Sequence, residues 1–174
     1  MIRQTLFNHY RKLACQSVSS VNLADLIVNP KLISNSPGVY LIYNLQTYKP
    51  YVGESYHVAH RLIQHATSNP ATQQIDQVIQ KLGANHFAVA FLQWSPDIKL
   101  RRKLEKQYVQ LFNAYDNGYN GSKDGHPKTE LQRIIARKGR KIKRKLGGKN
   151  YLYHRKYRGW LQLARFAYYQ RNNK

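Results

Sequence analysis

At 174 residues, 20.4 kDa and 42% apolar content, the chain has the size of one ordinary domain with an appendage, long enough to bury a core without staples. No apolar run approaches the ~18 residues of a membrane span, and the single cysteine, Cys15, excludes an intramolecular disulfide framework and any cysteine-built zinc site. Lys and Arg total 29 against 8 acids, a net charge of +21 with a pI near 10.2, so the expected partner is a polyanion: nucleic acid first, an anionic membrane surface second.

Residues 1–16 space Leu6, Phe7, Tyr10, Leu13 and Ala14 as an amphipathic helix. No acid precedes Asp25, a composition shared with organelle transit peptides, although a helix docked on the body is the preferred reading. The turn Asn35-Ser36-Pro37-Gly38 leads into Val39-Tyr40-Leu41-Ile42-Tyr43, a β-branched and aromatic strand. A loop over 44–50 returns the chain to Tyr51-Val52-Gly53, so 38–53 is expected to be an antiparallel hairpin. A helix is expected over 56–67, and a polar helix over 71–82 ending at Gly83. Phe87 to Leu92 is almost wholly apolar and is expected to be a strand buried on both faces. Ser95 as N-cap and Pro96 as first residue then open a helix running to about Asn113. The Asn-, Gly- and Asp-rich stretch 114–127 is a loop, and two further helices are expected at about 129–146 and 150–170.

Several polar residues fall at suggestive places on these elements. Tyr40 and Tyr51 sit on paired strands, beside glycines that permit close approach of a backbone or a phosphate. His57, Arg61 and His65, four apart, share one flank of the first helix, where the Arg fork suits a phosphate. On the helix opened by Pro96, Leu100, Leu104, Tyr108 and Leu111 make one stripe, and Ile98, Val109 and Phe112 make a second. Glu105 lies inside the second stripe, where a carboxylate must be paired, with Arg101 one turn earlier, or must hold a cation. Asn120 follows 15 residues later in a turn-forming segment.

The order Gly38-Val39-Tyr40, Tyr51-Val52-Gly53, helix Arg61, helix Glu105, loop Asn120 resembles the GIY-YIG nuclease superfamily over about 37–121. The resemblance implies an α/β (α+β) fold with a small three-stranded antiparallel sheet flanked by helices, and one active site that hydrolyses phosphodiester bonds with a single divalent ion, Mg²⁺ or Mn²⁺. His65 matches a histidine found in many members; a second histidine found in some has no counterpart, with His57 and His60 as substitutes of lower rank. Glu105 would ligate the ion, Arg61 neutralise the phosphoryl oxygens, and Tyr40 act as general base with Tyr51 and His65 bonded to it. Asn120 would hold Glu105 or the substrate backbone, Gly53 would lie against nucleic acid, and water rather than a tyrosine would attack phosphorus.

The chain divides into an N-terminal helical extension (1–36), the nuclease-like domain (37–121) and a basic helical arm (122–174). The arm holds 17 Lys and Arg against two acids. Arg133, Arg137, Lys138, Arg140, Lys141, Lys143, Arg144, Lys145, Arg155, Lys156 and Arg158 are its expected nucleic-acid contacts. A metal-dependent DNA endonuclease of homing, mobile-element or restriction type is expected. The alternatives are a structure-specific repair or recombination nuclease, and a non-catalytic RNA- or ribosome-binding protein. RNA is the second choice of substrate. A monomer or a DNA-induced dimer is expected, in the cytoplasm or on the nucleoid, or in an organelle if 1–24 is a transit peptide.

Overall fold

A computed structural model describes residues 2–122, with side chains from His9 onward. Helix α1 (Ile2–Gln16) is followed by a two-residue strand β1 (Val21–Asn22), helix α2 (Leu23–Val28) and a 3₁₀ turn at Pro30–Leu32. The hairpin is β2 (Gly38–Asn44) and β3 (Pro50–Ser55); then come α3 (Val58–Thr67), α4 (Gln74–Leu82), β4 (Phe87–Trp94) and α5 (Ile98–Leu111). The basic arm, with its expected helices and cationic contacts, lies outside the described residues.

The fold class is the expected one, an antiparallel sheet flanked by helices, but the sheet has four strands rather than three. Its order is β1-β4-β2-β3, with every pairing antiparallel. The extra strand comes from the N-terminal extension: Val21 and Asn22 pair with Val89 and Ala88. Two residues carry no period-2 signal, so the strand is invisible to pattern. Asn22 then caps α2 by accepting the Ala24 N–H.

All seven residues of β2 are buried, so the strand covered on both faces is β2; β4 is buried only over Phe87–Ala90. The alternation of β2 sorts two cores. Val39, Leu41 and Tyr43 pack with Ala14 and Cys15 of α1 and with Leu104, Val109 and Phe112. Tyr40 and Ile42 face the other way, against Leu23 and Leu26 of α2, Val58 and Leu62 of α3, and Ile75 and Ile79 of α4.

Three helix starts differ from expectation, each because a cap competes. Helix α3 starts two residues late. The His57 N–H is taken by Ser55 Oγ, and Asn35 Oδ1, from the turn before β2, accepts the His60 N–H. Helix α4 starts at a capping box in which Gln73 and Asp76 exchange side-chain-to-backbone bonds. It ends at Gly83, whose φ of +93° suits glycine. Helix α5 is capped by Asp97, not Ser95, because Asp97 Oδ1 takes the Lys99 N–H while the Ser95 N–H is held by the Pro37 carbonyl. The buried side of α5 is accordingly Arg101, Leu104, Glu105 and Val109, and the expected stripe members Ile98 and Leu100 are exposed.

Candidate active site

The hairpin, α3, α4 and α5 bring Tyr40, Tyr51, Arg61, His65 and Glu105 into one electrostatic neighbourhood around β3. Tyr40, from β2, is 1% exposed, and its ring lies 6.3 Å from that of Tyr51 and 5.8 Å from that of His65, centroid to centroid. Its hydroxyl is hydrogen-bonded to His65 Nε2 at 2.8 Å. His65 is fully buried, which splits the expected stripe: His57 is exposed at the helix start with its ring edge-on to Tyr56, and Arg61 is half-buried between them. His60 is exposed and bonds Gln64, so neither lower-ranked histidine enters the cluster.

The Tyr51 hydroxyl donates to Gln73 Oε1 at 2.8 Å, in the cap of α4, and it also interacts with Tyr40 by side-chain hydrogen bonding, as expected. Gly53 has a clear steric role. A Cβ there would collide with the Tyr40 hydroxyl and ring, so the close approach that glycine permits here is that of Tyr40. Gly53→Ala is therefore expected to push Tyr40 off His65, costing about 1–3 kcal/mol of stability and ~100-fold or more in cleavage rate. Thermal melts and plasmid nicking on one preparation check it; an unchanged nicking rate would separate the Tyr40–His65 bond from the chemistry.

Burial sets the electrostatics. It pushes the Tyr40 phenol well above its ordinary range; the neighbouring Tyr51 and Glu105 push the same way, while Arg61 pulls it back by charge and hydrogen bonding. Tyr51 is raised too, by burial first and then by Glu105, with Arg61 again opposing. His65 is lowered, chiefly by burial, so it is neutral near pH 7. Behind it, Asp76 Oδ1 lies 2.6 Å from His65 Nδ1, and His65 is the largest influence holding that carboxyl low against its own burial.

Glu105 is 4% exposed, and among the described residues its Oε2 has no hydrogen-bond partner. Burial pushes its carboxyl up to about 8, with Glu54 adding to the rise and Arg102 opposing it. The expected pairing with Arg101 does not form. Arg101 Nε turns to Glu54 Oε2 at 2.9 Å, and its NH1 donates to the Ser95 and Pro96 carbonyls. A buried carboxylate oxygen left unbonded beside phenols and a guanidinium fits a hard divalent cation, which takes one or two protein carboxylates and keeps several waters. Glu105 is the residue that would hold it; no cluster of three or more His, Cys, Asp or Glu exists among the described residues.

Asn120 bonds β3, and no hydrogen bond joins it to Glu105 among the described residues. Its Oδ1 accepts the Val52 N–H at 2.9 Å and its Nδ2 donates to the Val52 carbonyl at 2.7 Å, so its amide pairs with β3 like a one-residue strand. It closes the sheet edge that carries Tyr51 and Gly53. Asp76, Gln73 and Glu54 are absent from the expected set, and Arg101 enters it only as a partner for Glu105. The Gln-x-x-Asp capping spacing was legible, but their partners lie on other elements.

Residues 36–120 match the family profile of the GIY-YIG catalytic domain. Among solved structures, the catalytic domain of intron endonuclease I-TevI, in a glutamate-to-alanine mutant form, is similar at a TM-score of 0.42 and 23% identity, over 50% of this chain and 94% of that one. No curated protein matches. The chain thus carries a GIY-YIG catalytic domain over residues 36–120, and it is a nuclease.

Proposed function

We propose that the protein is a DNA endonuclease that hydrolyses phosphodiester bonds at this single site and depends on one divalent cation, Mg²⁺ or Mn²⁺, held by Glu105. The observation that carries the reading is the unbonded buried oxygen of Glu105, which lies close enough to raise both Tyr40 and Tyr51. The cation, when bound, supplies positive charge to the phosphate and the leaving oxygen. The remaining chemistry falls to the chain. Arg61, half-buried and acting on both phenols, would neutralise the non-bridging oxygens. Tyr40 takes the proton of the attacking water as its own proton passes to His65 Nε2 across the 2.8 Å bond. Water oxygen forms the new bond to phosphorus, the bond to the leaving oxygen breaks, and that oxygen is protonated from solvent. A phenol raised by burial is a poor base alone, and handing on its proton is what makes it usable. The +15 balance of residues 122–174 supplies sequence-independent phosphate attraction.

Supercoiled plasmid incubated with protein and Mg²⁺ or Mn²⁺ should be nicked, chelator should stop it, and Arg61→Ala should slow it by ~100-fold or more. Nicking indifferent to chelator and to Arg61→Ala would mean a contaminant and would leave a nucleic-acid binder without catalysis. Cleavage confined to branched or flapped DNA would replace the homing or restriction role with a structure-specific one.

A further inference from the structure

Asp76 is not among the residues that carry the family resemblance, yet its carboxylate is used at both oxygens. Oδ2 accepts the Gln73 backbone N–H at 3.0 Å, and Oδ1 meets His65 Nδ1 at 2.6 Å. Both residues are shut from solvent, at 2% and 0% exposure. We propose that Asp76 is the positioning residue of the site: it fixes His65 as the Nδ1–H tautomer, which leaves Nε2 free to receive the proton of Tyr40. The inference rests on the reading of Tyr40 as general base.

The donor inventory enforces the direction of the chain. Gln73 N–H is a fixed donor to one oxygen of the carboxylate. The ionised carboxylate can only accept at the other, so Nδ1 must carry the hydrogen. A neutral imidazole then presents a lone pair at Nε2, and the Tyr40 hydroxyl must be the donor across 2.8 Å. When the proton moves to Nε2, the imidazolium formed is stabilised by the carboxylate 2.6 Å away. The other groups facing this pair act on it without replacing that bond. Arg61 bears on both His65 and Asp76, and the Tyr51 ring stands edge-on to His65 at 5.2 Å. Asp76 itself touches no reacting atom. The relation is that of the aspartate to the histidine in serine hydrolases, where an asparagine in its place traps the wrong tautomer.

Asp76→Asn tests it because asparagine has only one acceptor. The Gln73 N–H claims that oxygen, the amide NH₂ turns to His65 Nδ1, and the hydrogen is forced onto Nε2, where Tyr40 can no longer deliver. In the full-length wild type, ¹⁵N NMR of the histidine side chains should show His65 protonated at Nδ1 and bare at Nε2 near neutral pH. Asp76→Asn should reverse this, lower kcat for plasmid nicking by ~100-fold or more, and leave KM within about twofold. In a His65→Ala background, adding Asp76→Asn should cost nothing further. A wild type bearing its hydrogen at Nε2 overturns the proposal whether or not any variant folds. So does an Asp76→Asn protein that cleaves at the wild-type rate, or one whose loss is undiminished when His65 is already gone, since Asp76 would then be acting only as a helix cap. A wild type inert towards every DNA but showing the Nδ1–H tautomer overturns the nuclease mechanism, and the positioning role falls with it for a reason the spectrum identifies.

Discussion

Glu105→Gln should cut nothing measurable, at least ~10³-fold below wild type, and yet melt at a higher temperature than wild type at pH 8. The first effect follows from removing the one buried carboxylate that, among the described residues, has an unbonded oxygen. The second follows from linkage. The carboxyl of Glu105 is raised from 4.5 to about 8, by burial first and then by Glu54, with Arg102 opposing. Its folded-state pKa is thus the higher one, and the folded protein holds a proton that the unfolded chain has released across the window from about 4.5 to about 8. The stability tied to that proton is complete below the lower value and is lost as pH rises to the upper one, at up to about 1.4 kcal/mol per pH unit. Glutamine carries no such proton and loses nothing over the window. Its own amide remains short of partners in the same enclosure, which offsets part of the gain, so a net advantage of about 2–3 kcal/mol at pH 8 is expected. At pH 4.5 that gain is absent and only the amide penalty remains, so the variant should be the less stable of the two by about 2 kcal/mol. Melts in chelator at both pH values check this; a variant less stable than wild type by the same amount at each pH would remove the buried charge from the account. Saturating Mg²⁺ or Mn²⁺ should then raise the melting temperature of wild type alone, by an amount set by concentration over dissociation constant.

The same residue shows where sequence pattern stops. A lone acid on an apolar helical stripe already marks Glu105 as paired or cation-bound, and the hairpin and α3 are legible from residue type and spacing. What spacing proposes wrongly is the partner. Arg101 is one turn from Glu105 and would be its ion pair in an isolated helix. In the fold, Arg101 lies in the first turn of α5, beneath the Ser95 and Pro96 carbonyls and across from Glu54, 47 residues away on β3. Three acceptors at that end outcompete one at the other. The bond of Asn120 to Val52 is hidden for a related reason: its turn-forming neighbours are visible, but the unpaired edge of Val52 that it satisfies exists only once β3 is the last strand of the sheet. Asp76 hides in plain view. Its place as third residue of a capping box explains it fully as a local structure, and nothing local shows that its second oxygen meets His65 from α3. Residues that answer to local rules were found, and residues whose second partner is supplied by tertiary structure were missed or mispaired.

Arg101→Ala should be among the most destabilising substitutions at the site, although Arg101 makes none of the expected catalytic contacts. The side chain is 4% exposed and makes three bonds: the 2.9 Å ion pair with Glu54, and donations to the Ser95 and Pro96 carbonyls at 3.2 and 2.9 Å. Its guanidinium also stands 5.7 Å from the centre of the Tyr56 ring. Removing one member of a buried pair leaves the other charged and uncompensated, which costs about 3–5 kcal/mol, far more than an exposed pair would. The Glu54 carboxylate, 17% exposed, would then sit unpaired near Glu105, which it already disfavours as an anion. Urea melts of Arg101→Ala should show that loss with an unchanged slope. Arg101→Lys should recover part of the loss, because an ammonium restores a positive charge beside Glu54 but cannot reach two carbonyls and a carboxylate in a fixed plane. The decisive arm is the double variant Arg101→Met with Glu54→Gln, in which both charges go and the volume is kept. It should recover most of the stability, because the cost lies in the orphaned carboxylate and not in the absence of the pair. If the double variant is as unstable as Arg101→Ala, the two carbonyl bonds, and not the charge, are what tie α5 and its Glu105 to the hairpin.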